Sequence, residues 1–252
     1  MRRVLLVLSL LTALPAFAQT ITFQTEPPGG GGFLAAPAPA LSAAEGTPGK
    51  HPALLVIQEW WGVDNWIREQ TERFAKEGYV ALAVDLYRGK VAATQEQAHE
   101  LMRGLPHDRA LADLEAGFKY LASRKDVDPN RIGVIGWCMG GGYALDFTVA
   151  EPRLAASVIN YGHLMVDPKT IGSIKPPILG NFGANDMGIP PADVKAFDAA
   201  LKKAGKSSDL KIYEGAGHAF MNPNNTAGYV KAAADDAWAR IDAFLARTLK
   251  RS

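Results

Sequence analysis

From Pro52 onward, short apolar runs alternate with longer amphipathic stretches, and this alternation constrains the fold more than any other feature of the chain. The runs at 53–58, 79–84, 132–135, 155–161, 177–182 and 210–213 are largely apolar, as strands buried on both faces require. Between them, 65–77, 95–103, 108–123, 140–149, 191–203 and 227–249 read as helices. The last shows the helical period most plainly, with Val230, Ala234, Ala237, Trp238, Ile241, Phe244 and Leu245 along one core-packing stripe. Strands separated by helices run parallel, because a parallel pair needs a crossover connection and a helix supplies it. The predicted class is therefore α/β, with a mostly parallel central sheet covered by helices on both faces in three layers. No linker interrupts residues 50–252, which read as one domain.

The single cysteine lies at a junction in this pattern. Cys138 sits in Gly136-Trp137-Cys138-Met139-Gly140, after the apolar run 132–135 and before an Ala-rich helix candidate. This is the pattern of a nucleophile elbow with sulfur in place of oxygen. Flanking glycines permit the sharp strand-to-helix turn that lifts the nucleophile into the open. The helix start brings backbone N–H groups and a partial positive charge beside the sulfur, which favours thiolate and an oxyanion on a substrate.

A cysteine nucleophile needs a base, and the base needs an orienting acid. Of the five histidines, His218 follows a strand in the Gly-rich turn Gly215-Ala216-Gly217-His218-Ala219-Phe220. His163 also ends a strand but precedes the best acid candidate, breaking the order nucleophile, acid, base found in hydrolases built on such sheets. His51, His99 and His107 sit in a turn or on polar helix edges, where a solvated role is the default. The acid candidate is Asp186, just past the run 177–182, since catalytic groups gather at the carboxyl ends of strands. Asp167 in a loop and Asp193 in a helix first turn are the plainer alternatives. After the run 53–58 comes Glu59-Trp60-Trp61-Gly62, where hydrolases of this kind place a second oxyanion donor. The Trp60 and Met139 backbone amides are the candidate pair. Glu59 is either a solvated strand end or a holder of the thiol proton.

Taken together, Gln58-Glu59-Trp60-Trp61-Gly62, Asp85-Leu86-Tyr87, Gly136-Trp137-Cys138-Met139-Gly140-Gly141 and Gly217-His218-Ala219-Phe220 resemble the dienelactone hydrolase (carboxymethylenebutenolidase-like) family of the α/β-hydrolase superfamily. The likeness runs from Lys50 almost to the C-terminus. It implies the α/β-hydrolase fold, a Cys-Asp-His triad of Cys138, Asp186 and His218, and hydrolysis of small esters or lactones through an acyl-cysteine. It implies neither a metal nor an organic cofactor, and it casts Glu59 as partner of the resting thiol. The family also grips a substrate carboxylate with arginines, one shortly after the Asp-Leu-Tyr segment and one four residues past the histidine. Here Arg88 directly follows Tyr87, and Asn222 occupies the second site. A neutral Asn cannot replace a bidentate guanidinium. Tyr87, Arg88 and Trp61 are the substrate-binding candidates, and Trp60, Trp61, Trp66 and Trp137 either line an aromatic-accepting cleft or fill the core.

At the N-terminus, Arg2 and Arg3 precede an apolar run that reaches Phe17, and Ala16-Phe17-Ala18 offers a small-x-small cleavage site. Residues 1–18 therefore read as a secretory signal peptide, with export to a bacterial periplasm or medium expected. Residues 19–49 hold a Gly/Pro-rich segment read as a turn or hairpin, since no Lys-Ser or Lys-Thr follows its glycines to make a phosphate loop. A net charge of +1 without a polybasic cluster argues against nucleic acid. The expected partner is a small ester or lactone, with no stable membrane association once the signal is removed and a monomer favoured. A thiol redox protein would ordinarily carry a resolving Cys-x-x-Cys, which is absent. A non-catalytic ligand binder on the same fold predicts an unreactive Cys138.

Overall fold

The computed structural model of the chain describes residues 17–25, 27–37 and 50–250. The first sixteen residues of the expected signal peptide, and 38–49 of the Gly/Pro-rich segment, lie outside these. The strands are β1 (Phe17–Thr22), β2 (Gly31–Ala36), β3 (His51–Ile57), β4 (Val80–Val84), β5 (Val127–Trp137), β6 (Ala156–Asn160), β7 (Ile178–Gly183) and β8 (Ser208–Tyr213). The helices are α1 (Asn65–Lys76), α2 (Gln95–Arg103), α3 (His107–Ser123), α4 (Met139–Ala150), α5 (Pro168–Ser173), α6 (Pro191–Lys203) and α7 (Lys231–Leu249). They build one eight-stranded sheet in the order β1-β2-β4-β3-β5-β6-β7-β8. The pairings β1·β2 and β2·β4 are antiparallel, and every pairing from β4 to β8 is parallel.

The pleat sends alternate residues to opposite layers. On β3, Leu54 and Val56 join a core formed with Trp66, Ile67 and Phe74 of α1 and the apolar stripe of α7. Ala53, Leu55 and Ile57 join the opposite core with Leu114 and Phe118 of α3 and Phe147 of α4. On that second face, farther along the sheet, Val194, Phe197 and Leu201 of α6 pack with Ile178 and Phe182 of β7. Both faces of the parallel strands are thus covered, which is why their sequences are almost wholly apolar.

The segment read as a turn or hairpin forms the antiparallel hairpin β1·β2, which extends the sheet past β4, and its first strand begins at Phe17, within the span read as signal peptide. Two features depart from the sequence expectation. The short α5, capped by the Asp167 side chain on the Thr170 amide, is too brief for a hydrophobic period to reveal. Helix α7 begins at Lys231 rather than 227, because Asn225 is used in a turn: its carbonyl accepts the Gly228 and Tyr229 amides. The site described next requires that turn.

Candidate active site

Cys138 links β5 to α4 as the N-cap of the helix, with φ 56° and ψ −122°. A non-glycine residue in this region carries about 1–3 kcal/mol of strain that its surroundings must hold. They do so through the backbone: the Cys138 amide donates to the Asn160 carbonyl at 3.0 Å, and its own carbonyl accepts the Gly141 amide at 3.0 Å. Glycines make the turn possible sterically. A Cβ on Gly136 would overlap the Gly140 carbonyl, and one on Gly140 would overlap the Gln58 carbonyl at the end of β3.

Asp186 follows β7. Its Oδ1 accepts the Gly188 and Ile189 amides at 2.9 and 3.0 Å, leaving Oδ2 for His218 Nδ1 at 2.7 Å. Burial opposes the aspartate charge, but the His218 hydrogen bond and these amides outweigh it and hold the carboxyl below its usual range. The His218 loop is clamped from the turn before α7, where Asn225 Nδ2 donates to the His218 and Ala219 carbonyls at 3.1 and 3.3 Å. The imidazole side chain is 41% exposed and the aspartate 1%, so the ring faces the cleft with its anion behind it. Burial pulls the imidazole towards neutrality, yet the hydrogen bond to Asp186 and the neighbouring Cys138 sulfur push its pKa up to about 10. An imidazolium beside sulfur at neutral pH can stabilise a thiolate and can supply a proton to a leaving group.

Glu59 occupies the third side of the site. Only 3% exposed, it accepts from Asn222 Nδ2 at 2.7 Å and from the Tyr161 hydroxyl at 3.4 Å. Burial is the chief reason its pKa rises to about 7, against the lowering effect of the Asn222 bond and the His218 charge. Tyr161 in turn packs edge-on to His218, with ring centroids 5.4 Å apart. Burial, and the Glu59 charge beside it, push the tyrosine well above its ordinary value, which keeps its hydroxyl a donor.

A cleft of about 870 Å³ opens over these groups, lined among others by Glu59, Trp60, Trp61, Cys138, His218 and Asn222. Neither the Trp60 nor the Met139 amide donates to a backbone acceptor among the described residues, and Trp60 lines the cleft. Among the described residues no cluster of three or more His, Cys, Asp or Glu is arranged to hold a metal ion, and no helix is long and apolar enough to cross a membrane.

Other candidates sit elsewhere. The Arg88 guanidinium is spent on the buried Asp113 at 3.0 Å and on the Pro27 and Pro28 carbonyls, tying the N-terminal hairpin to α3. It does not line the cleft. The Tyr87 hydroxyl reaches Met139 Sδ at 3.3 Å, beneath the elbow rather than in the cleft. Trp66 and Trp137 pack edge-to-face in the core at 5.3 Å, while Trp60 and Trp61 form a cleft wall at 5.1 Å. His163 is exposed and lines a separate depression near Asp193. Sequence reasoning passed over Tyr161 because the neighbouring His163 drew the chemical reading of Tyr161-Gly162-His163. Asn222 was read for what it lacks, not for its bond to Glu59.

The dienelactone hydrolase family model matches residues 39–249 of the chain. The chain belongs to the dienelactone hydrolase family. A provisionally named carboxymethylenebutenolidase of Methylorubrum extorquens is 32% identical over 217 residues, spanning 81% of this chain and 74% of that one. Another from Escherichia coli K12 is 34% identical over 208 residues, 77% of this chain and 76% of its relative. The crystal structure of a provisionally named dienelactone hydrolase from Klebsiella pneumoniae superposes with a TM-score of 0.80 at 28% identity, covering 92% of this chain and 99% of that one. This member of the family is accordingly a hydrolase on the α/β-hydrolase fold, and the sheet order and elbow described above are that fold's features.

Proposed function

We propose that the protein hydrolyses small carboxylic esters or lactones with Cys138 as nucleophile, His218 as proton carrier and Asp186 as its anchor. The observation that carries this reading is the meeting of a sulfur on a positive-φ elbow with an imidazole held at 2.7 Å by a buried aspartate. The Cys138 thiolate attacks the carbonyl carbon, and the carbonyl electron pair moves onto an oxyanion held by the Trp60 and Met139 amides. Collapse breaks the carbon–oxygen bond, and the leaving alkoxide takes the His218 proton, giving an acyl-cysteine and an alcohol. With a lactone, that alcohol stays tethered. Water then attacks the thioester as neutral His218 removes its proton, and the sulfur departs as thiolate, regenerating the imidazolium–thiolate pair. Proton transfer and oxyanion stabilisation each contribute about 10²-fold or more to the rate.

Glu59 lines the same cleft as Cys138, and a pKa of about 7 supports a part for it in proton exchange with the thiol before substrate binds. Export is part of the same proposal. Cleavage after Ala18 would leave Gln19–22 of β1 in register with 31–34 of β2, so the hairpin survives processing. N-terminal sequencing of protein recovered from periplasm or medium tests it, and an intact Met1 would refute it.

The decisive experiment is hydrolysis of activated aryl acetates, simple lactones and a dienelactone by the native protein and by Cys138→Ala, with intact-mass detection of the acyl adduct. Turnover that disappears in the variant, with an adduct on the Cys138 peptide, is expected. Equal turnover in both proteins would remove the cysteine from the mechanism.

A further inference from the structure

We infer that the cleft selects uncharged ester or lactone substrates and discriminates against those bearing a carboxylate. This rests on the ester-hydrolase reading above and concerns the same site. Two of the side chains that line the cleft are carboxyls, Glu59 and Asp64, and among the described residues no Lys or Arg lines it. The one cationic group, the His218 imidazolium, is already matched by Asp186 and by the sulfur it serves.

Two arginines and an asparagine that would suit a substrate anion already have partners. Arg88 bonds Asp113 and two backbone carbonyls. Arg68 donates through Nε to the Val63 carbonyl at 3.3 Å and lies over the Phe33 ring at 4.9 Å. Asn222 carries no charge, and its amide is already engaged at both ends, one N–H of Nδ2 on Glu59 at 2.7 Å and Oδ1 accepting the Asn224 amide at 2.9 Å. A carboxylate entering this space would lose water, gain no ion pair and approach two acidic side chains. An aryl or alkyl group would instead meet Trp60, Trp61, Ala92, Ala93 and Met102, an apolar wall of the kind that accepts neutral ligands.

The test compares 4-acetoxybenzoate with its methyl ester, which share the acetyl group that reacts and the ring that carries it. Acetate release is followed at pH 8.5, where Glu59 is charged, for the native protein, Asp64→Asn and Cys138→Ala. The kcat/KM ratio of neutral to charged substrate should exceed the same ratio for alkaline hydrolysis by at least about tenfold, and should shrink as salt is added. Asn still caps α1, so Asp64→Asn should fold and narrow the ratio several-fold. A native ratio no larger than that of hydroxide, or a preference for the carboxylate, overturns the inference while leaving the hydrolase reading intact. Absence of cysteine-dependent turnover on both substrates overturns the hydrolase reading and the inference with it.

Discussion

Glu59 places a titrating carboxyl in a buried pocket whose partners are uncharged donors, and that has a measurable thermodynamic consequence. The group holds its proton to about pH 7 in the folded protein, against an ordinary value of 4.5. Between those values the folded state binds a proton that the unfolded chain has lost, so stability falls as pH rises. The loss begins above 4.5 and is complete above about 7; at about 1.4 kcal/mol per pH unit it totals about 3 kcal/mol. Glu59→Gln copies the protonated carboxyl. Its carbonyl oxygen can accept from Asn222, and its amide can donate to the Tyr161 hydroxyl, which serves as donor or acceptor. The variant should therefore match the native protein near pH 5 and exceed it by about 3 kcal/mol at pH 8.5, or about 6–12 °C in Tm for a domain of this size. Urea denaturation followed by tryptophan fluorescence across that pH range measures the difference directly. Two stability curves that run parallel from pH 5 to 8.5 would refute the argument, because a structural effect of the substitution carries no pH dependence.

Asp186→Asn removes the anion that outweighs burial at His218, so the imidazole should titrate well below about 10 and kcat/KM should fall by about 10²–10⁴-fold with the fold retained; turnover near native would remove Asp186 from the site. The same linkage sets a pH limit: the stability that His218 gains from its partners is full below 6.5 and fades as pH rises through about 10, a fade that thermal melts should show in the native protein and not in Asp186→Asn. Arg88→Ala leaves Asp113 buried without its cation and should cost about 3–5 kcal/mol in urea unfolding while KM for a neutral ester stays unchanged; a raised KM at native stability would return Arg88 to the cleft. Gly136→Ala forces a methyl group into the Gly140 carbonyl and should destabilise by about 1–3 kcal/mol or abolish folding, whereas Gly142→Ala, with its nearest neighbour at 3.4 Å, should be tolerated in thermal melts.

The parts of the molecule legible in the sequence are those governed by local physics. Continuous apolar runs marked the parallel strands because both faces of such strands are covered, and β3 and β4 appear within a residue or two of their expected bounds. The elbow was legible because strand, cysteine, glycines and helix are contiguous. The antiparallel hairpin was harder to place, since a Gly- and Pro-rich composition speaks of turns, whereas its position beside β4 is fixed by pairing across the sheet. Side-chain commitments were illegible for the same reason. Arg88 sits 25 residues from Asp113 and 60 from Pro28, and nothing local announces either bond.

Asn222 shows how such distant commitments change the meaning of a position. Read along the chain, it marks the loss of an anion-binding arginine. In the folded protein it is a buried donor, bonded across 163 positions to Glu59, and its other end fixes the turn through Asn224. A guanidinium placed there would stand beside the Glu59 carboxyl, where pairing with it would compete with reaching a ligand in the cleft. Glu59 would then be charged at neutral pH and would lose the proton-holding range near 7 that suits it to exchange with a thiol. The neutral amide keeps the carboxyl poised and leaves the cleft lining without a guanidinium. Proton-holding at Glu59 and the preference for uncharged substrates inferred above thus depend on the same side chain, and a substitution that alters one is expected to alter the other.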